Sequence, residues 1–208
     1  MEVPIEVDII TTSVKGWNRY IKPLIDSVEK WEGITSNIIV VDAGGFYPDT
    51  YKDATIIHTP MLNCSAAQNV GLDHSTADWF LVLDCDVLCE GKFIDTISKL
   101  EHGVYGNDMH EANHKLFTGP SHWLDGWIYA FPREVYKEIG GFDENFQGSG
   151  FEDADFCWRA EETGYEVLQT VVLPFKHLFT GQKREISAGY KKVRLGNVEY
   201  LKNKWKLK

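Results

Sequence analysis

Apolar positions along the chain fall into two alternating registers: short Val- and Ile-rich runs, and longer segments in which apolar residues recur every three to four positions. The first run, Val7-Asp8-Ile9-Ile10 within 3–12, predicts a strand that ends in the polar stretch Thr11-Thr12-Ser13. From Trp17 to Trp31 the apolar residues at 17, 20, 21, 24, 25, 28 and 31 keep a helical period, and Pro23 predicts that the regular helix starts close to it. Asn37 to Asp42 reads as a second strand ending in a carboxylate, after which Ala43-Gly44-Gly45 turns the chain. Thr55–His58 is a short third strand, and Cys64–His74 a helix with Asn63 or Ser65 as its cap. Trp79-Phe80-Leu81-Val82-Leu83 is an unbroken apolar run, the pattern of a parallel strand buried on both faces.

Beyond Gly91 a helix is expected to about Leu100. The stretch from His102 to His122 is polar, irregular and rich in His, Asn and Gly, which predicts a long functional loop. Within it His110 and His114 have metal-ligand spacing on a helix, but a mobile loop is the expected state. Gly126 to Phe131 predicts a strand, and Pro132 opens a short helix that Gly140-Gly141 ends. Gly148-Ser149-Gly150 is a flexible turn, Glu152–Glu162 a helix closed by Gly164, and Glu166–Leu173 a last strand. An amphipathic helix from about Ile186 would bury Tyr190, Val193, Val198, Leu201 and Trp205. The β-α-β-β-α-β order of the first half predicts an α/β fold with a mainly parallel central sheet flanked by helices.

With 208 residues, 43% hydrophobic and 25% charged, the chain has the size and balance of one globular domain. No apolar run reaches the ~20 residues of a membrane span, and the first residues lack the pattern of a signal peptide. Cys64, Cys85, Cys89 and Cys157 follow no regular spacing and are expected as free thiols in a reducing compartment, which predicts a cytoplasmic location. A formal net charge of -10 argues against nucleic acid as a partner. The charge is uneven: residues 181–208 hold nine Lys/Arg against two acids, a basic tail that is a candidate for peripheral membrane contact or for folding over an anionic ligand.

The chemistry concentrates where the apolar run ends. Asp84 and Asp86 stand at i and i+2, so on an extended chain both carboxylates face one way and Cys85 the other. In open α/β sheets ligands sit beyond the carboxyl ends of the strands, and two aspartates there offer hard oxygen ligands for Mg²⁺ or Mn²⁺. A second group of acids, Glu152, Asp153 and Asp155, opens a helix, where acids favour the dipole. Together with Asp143 they exceed what capping needs.

The ordered set of Val41-Asp42, Asn69-Val70-Gly71-Leu72, Asp84-Cys85-Asp86, Gly141-Phe142-Asp143-Glu144 and Glu152-Asp153-Ala154-Asp155-Phe156-Cys157-Trp158-Arg159 resembles the inverting family 2 glycosyltransferases of the GT-A fold over nearly the whole chain. The resemblance implies a single GT-A domain, with residues 1–100 as the nucleotide-binding half, 101–180 as the acceptor-binding half and 181–208 as a basic C-terminal helix or tail. It implies a nucleoside-diphosphate sugar donor, of UDP or dTDP type, and a glycan or other hydroxyl acceptor. Asp42 would contact the base, Thr11 would lie near the nucleoside, and Asn69 and Asp84 would bind the donor. Asp86, Asp84 and His177 would hold Mn²⁺ or Mg²⁺. Gln68 stands where the family often has Arg before the residue matching Asn69, a departure that leaves the family's phosphate or carboxylate contact at this position open.

Asp153 matches the acceptor-side general base, with Glu152 beside it as a hydrogen-bonding partner of a sugar. Trp127, with Asp125, is a candidate acceptor platform, since an indole face packs on a sugar ring. A core Trp is the equal alternative for Trp127, and a buried hydrogen-bonded histidine the alternative for His177. Two other readings remain open at this stage: a nucleotide- or glycan-binding module without catalysis, and a haloacid-dehalogenase-type phosphatase, which also places Asp-x-Asp after an apolar strand.

Overall fold

The computed structural model describes residues 5–13, 15–32, 36–111, 122–170, 173–178 and 188–207. Strand β1 (Val7–Ser13) leads through a π-helical turn at Trp17–Ile21 into α1 (Lys22–Glu32), then β2 (Ser36–Ala43) and β3 (Thr55–Thr59). Helix α2 (Cys64–His74) precedes β4 (Trp79–Leu83), followed by β5 (Val87–Cys89) and a single helical turn, α3 (Ile94–Ile97). The second half holds β6 (Gly103–Gly106), β7 (Met109–Glu111), β8 (His122–Leu124), β9 (Ile128–Pro132), α4 (Arg133–Ile139), α5 (Glu152–Glu162), β10 (Glu166–Gln169), β11 (Phe175–His177) and α6 (Ala188–Trp205). Seven strands form one sheet in the order β10-β6-β9-β4-β1-β2-β3, with β9 antiparallel to both neighbours and the remaining pairs parallel.

The continuous apolar runs have their reason in this sheet. Successive side chains point to opposite faces, and both faces are covered. Ile10, Ile39, Phe80, Val82 and Phe131 join a core with residues of α4, α5 and α6. Ile9, Val40, Leu81, Leu83 and Ala130 join a second core with α1 and α3. Strand β4 lies between parallel β1 and antiparallel β9, so the wholly parallel setting expected for it holds on one side only. The strand order reverses at β1, with β2 on one flank and β4 on the other, and such a switch point opens a crevice at the carboxyl edge.

The expected long loop from His102 to His122 contains central-sheet strand β6 and part of a β7-β8 ribbon. Gly103-Val104-Tyr105-Gly106 carries too little apolar pattern to announce a strand. Its glycines serve close backbone approach: a β-carbon on Gly103 would meet Glu166 O at 2.8 Å, and one on Gly106 would meet Ile128 O at 2.9 Å. His114 and the side chain of His110 lie outside the described residues. The helix expected up to Leu100 is the single turn α3, Pro132 closes β9 and stands as the cap of α4, and the last long strand stops at Gln169. On α6, Val198 and Leu201 are buried as expected, whereas Tyr190 is 40% exposed because the first turns of the helix project beyond the core.

Helix α6 is fastened by charge as well as by apolar contact. Lys204 Nζ lies 2.6 Å from Asp143 and 2.7 Å from Asp155, Tyr200 donates to Asp143, and the Trp205 indole N–H donates to Asp155. Burial opposes ionisation of Asp143, but Lys204, the Asn145 amide and Tyr200 outweigh it and hold the carboxyl well below the usual range. The clasp therefore contributes its full stability above about pH 4, the ordinary carboxylate value, and loses it as acid protonates the folded group. Melting temperature should fall from pH 6 to pH 3 more steeply in the wild type than in Asp143→Asn. Leu81→Ala should cost about 2–5 kcal/mol in urea unfolding, because Leu81 is fully buried in the central strand.

Candidate functional site

The chain leaves β4 at Leu83 and turns through residues 84–86 before β5 begins. Strand alternation therefore does not bring Asp84 and Asp86 together, contrary to the extended geometry expected of them. The turn does, and it is pinned from two sides: the Asp84 N–H donates to Trp127 O at 2.9 Å, and the Leu178 N–H donates to Asp86 O at 2.9 Å. Strand β11 pairs antiparallel with β5 and sets His177 opposite Val87, next to Asp86. The His177 Nε2 is 3.0 Å from Asp86 Oδ1 and 3.8 Å from Asp84 Oδ2. One ligand atom from each of Asp84, Asp86 and His177 lies within 4.8 Å of the others.

Crowding raises the electrostatic cost of this arrangement. The Asp84 side chain keeps 46% of its surface exposed, so its enclosure is partial; that enclosure still raises its carboxyl above the usual range, His177 pulls the other way, and the charges of Asp86, Asp125 and Asp153 push it further. Burial works against the His177 imidazolium, but the hydrogen bond to Asp86 and the charges of Asp86, Asp84 and Asp125 raise its affinity for a proton. Two carboxylates and one imidazole, converging and short of positive charge, are a donor set suited to Mn²⁺ or a similar divalent cation.

The second acid pair meets this group at the same edge. A β-carbon on Gly126 would lie 3.3 Å from Asp153 Cβ, so Asp153 packs directly on the Asp125-Gly126-Trp127 segment whose last carbonyl holds Asp84. Glu152 is 9% exposed and accepts the Gly150 N–H. Burial first, then the Asp153 charge, pushes Glu152 up to about 8, and the Asp84 charge adds to it. The four acids divide by role. Asp143 and Asp155 are engaged by Lys204, with Asp155 also paired to Arg159 at 2.8 Å, while Asp153 packs beside Gly126 and Glu152 is held on the Gly150 amide.

Thr11 and Asp42 lie at the carboxyl ends of β1 and β2, both fully buried. Asp42 Oδ2 accepts the Tyr47 N–H at 2.7 Å and lies 2.9 Å from His58 Nδ1. Thr11 Oγ1 and Asp42 Oδ1 are buried and have no hydrogen-bond partner among the described residues, an unsatisfied pair on one sheet face. Asn69 is not brought to the acid cluster. Its side chain accepts the Phe142 N–H and donates to Phe142 O and Glu144, latching α2 to the 141–144 turn. Gln68 is buried.

Trp127 is 5% exposed, stacks on His177 at 5.2 Å and 12°, and donates its indole N–H to Asp108. One ring face thus supports the imidazole instead of lying open as a platform. A cleft of about 650 Å³ opens beside this pair, lined also by Asn107, Asp108, Lys176 and Leu178. Asp108 and His58, which hold Trp127 and Asp42, carried no signal in the sequence because their partners are distant along the chain.

Residues 109–179 match a family described as the N-terminal domain of galactosyltransferase. No curated protein matches in sequence. Similar solved structures include a mannosyltransferase from Pyrobaculum calidifontis in complex with GDP-Man and Mn²⁺, at TM-score 0.61 and 16% identity over 82% of this chain and 56% of that one. GalNAc-T7 with UDP, GalNAc and Mn²⁺ aligns at TM-score 0.70 and 12% identity over 83% and 43%. The catalytic domain of Drosophila beta1,4galactosyltransferase 7 in complex with xylobiose aligns at 0.56 and 18% over 87% and 74%. The chain spans about half the length of the first two structures. The fold is GT-A, as expected from the ordered motifs.

Mn²⁺ should bind the free protein with measurable heat in calorimetry. Asp86→Asn and His177→Ala should each weaken that binding by about 10- to 100-fold, and unchanged affinity in both would remove the cluster as a metal site.

Proposed function

We propose that this chain transfers a sugar from a nucleoside-diphosphate donor, of UDP or dTDP type, to a hydroxyl acceptor with inversion and with the help of Mn²⁺ or Mg²⁺. The observation that carries this reading is the meeting of two distinct acid groups, Asp84-Asp86-His177 and Glu152-Asp153, at the carboxyl edge of a GT-A sheet. The nucleotides and Mn²⁺ recorded with proteins of similar fold support it, as does the galactosyltransferase match over 109–179.

In this reading Asp84, Asp86 and His177 hold the divalent cation, which supplies Lewis-acid neutralisation of the charge growing on the departing diphosphate. Thr11 and Asp42, with their unsatisfied oxygens, receive the nucleoside. Trp127 stacks on His177 and keeps the imidazole aimed at Asp86. The acceptor hydroxyl attacks the anomeric carbon as the bond to the phosphate oxygen breaks, and its proton passes to a carboxylate oxygen of Asp153. Attack on one face and departure from the other invert the centre. Glu152, buried and raised towards its neutral form, is suited to donate a hydrogen bond to a sugar or diphosphate oxygen. Asn69 contributes through the turn that it latches. The cleft beside Trp127 is the proposed acceptor side, with Asp125 two residues before that Trp as a further acceptor contact. The exposed Lys191, Lys192 and Arg194 on α6 support peripheral contact with an anionic membrane surface.

The deciding experiment incubates the protein with Mn²⁺ and a panel of nucleotide sugars and measures released nucleotide. Release from a UDP- or dTDP-sugar is expected, and nucleotide binding without release would support a binding module instead. EDTA should stop turnover and Mn²⁺ should restore it. Asp153→Asn should lower kcat by about 10²- to 10⁴-fold while Mn²⁺-dependent nucleotide binding stays within a factor of two; near-normal turnover would remove Asp153 from the role of base.

A further inference from the structure

We infer that Asn197, on the last helix, is a positioning residue for the carboxylate pair at the start of α5; this rests on the reading of Glu152 and Asp153 as the acceptor-side acids. The turn that delivers those acids has an unusual backbone. Gly148, Gly150 and Phe151 have φ of +64°, +111° and +75°. For Phe151 that is the left-handed region, which side chains other than glycine's rarely adopt. Such a turn persists only where its surroundings over-determine it.

Two elements do so. The Cys64 N–H at the start of α2 donates to Gly148 O at 2.9 Å. From the other side Asn197, 2% exposed, makes three bonds with the same turn. Its Oδ1 accepts the Gln147 N–H at 2.9 Å, and its Nδ2 donates to Gln147 O at 2.9 Å and to Gly150 O at 3.0 Å. Gly150 in turn donates its N–H to the Glu152 carboxylate. Asn197 therefore fixes the residue that holds Glu152, and through it the first turn of α5 that aims Asp153. A primary amide offers one acceptor and two donors in a single plane, the complement of one backbone N–H and two carbonyls. Above the same turn, the Arg194 guanidinium lies 5.3 Å from the centre of the Phe151 ring. The galactosyltransferase match ends at 179, so this brace comes from a part of the chain outside it.

The test compares Asn197→Ala with Leu201→Ala, which loosens the same buried helix by removing apolar packing and takes away no hydrogen bond to the turn. Asn197→Ala should lower kcat at least tenfold, leave donor KM and Mn²⁺-dependent nucleotide affinity within twofold, and speed amide exchange at Gln147 and Gly150 at least tenfold. Leu201→Ala should lower the melting temperature at least as much yet keep kcat within twofold at 20 °C. Asn197→Asp keeps the acceptor, loses both donors and should show the same kcat loss, which preserves the test if the alanine variant does not fold. Unchanged kcat in the Asn197 variants, or an equal loss in Leu201→Ala, would overturn the proposal. If the wild type transfers and hydrolyses nothing, the transferase reading fails, and the exchange rates then decide alone: no change at Gln147 and Gly150 rejects the brace.

Discussion

The gathering of carboxylates at one partly enclosed edge of the sheet is the constraint on which the rest of the site depends. Loss of water is the largest cause that raises Asp84 and Glu152; the charges of Asp86, Asp125 and Asp153 add to it at Asp84, and those of Asp153 and Asp84 at Glu152. No isolated loop would hold such charges together. Here the Asp84 and Asp86 backbones are fixed by the Trp127 carbonyl and the Leu178 amide, and the Glu152 carboxylate itself is held by the Gly150 amide. A divalent cation among Asp84, Asp86 and His177 would offset the repulsion that remains.

The stability that tolerates this site comes from elsewhere. A sheet covered on both faces buries β1, β2, β4 and β9 in two apolar cores. The second acidic group is divided: Asp143 and Asp155 pair with Lys204 and fasten the last helix, and Glu152 and Asp153 stand outside that clasp. The same helix sends Asn197 into the turn ahead of α5. Fastening and aiming are thus linked through one element, and acid that loosens the Asp143 clasp also loosens the support of the site.

Much of this was legible in the chain, and the reasons differ by element. Strands β1, β2 and β4 announce themselves because strands buried on both faces need unbroken apolar runs. Helix α2 does so through its Asn63 cap, and α5 through the acids of its first turn and Gly164, which closes it. Strand β6 was hidden because its glycines answer to the backbones of Glu166 and Ile128, which lie far along the chain. Strands β5 and β11 were hidden because three residues carry no period. Asp84, Asp86, Glu152, Asp153 and His177 stood out as residue types and motif positions. That His177 leans on Trp127, that Asn69 latches a turn, and that Asp108 and His58 serve as supports followed from no local pattern.

Sequence by itself determined the α/β class, the apolar strand that ends in paired aspartates, and the helix that opens on acids, since periodicity and residue chemistry are properties of neighbours along the chain. Tertiary structure alone decided that a turn makes Asp84 and Asp86 converge, that His177 arrives beside them from β11, and that Asp153 shares their edge. Those outcomes depend on hydrogen bonds and packing between segments tens of residues apart, whose spacing is set by the sheet order and not by any stretch of sequence.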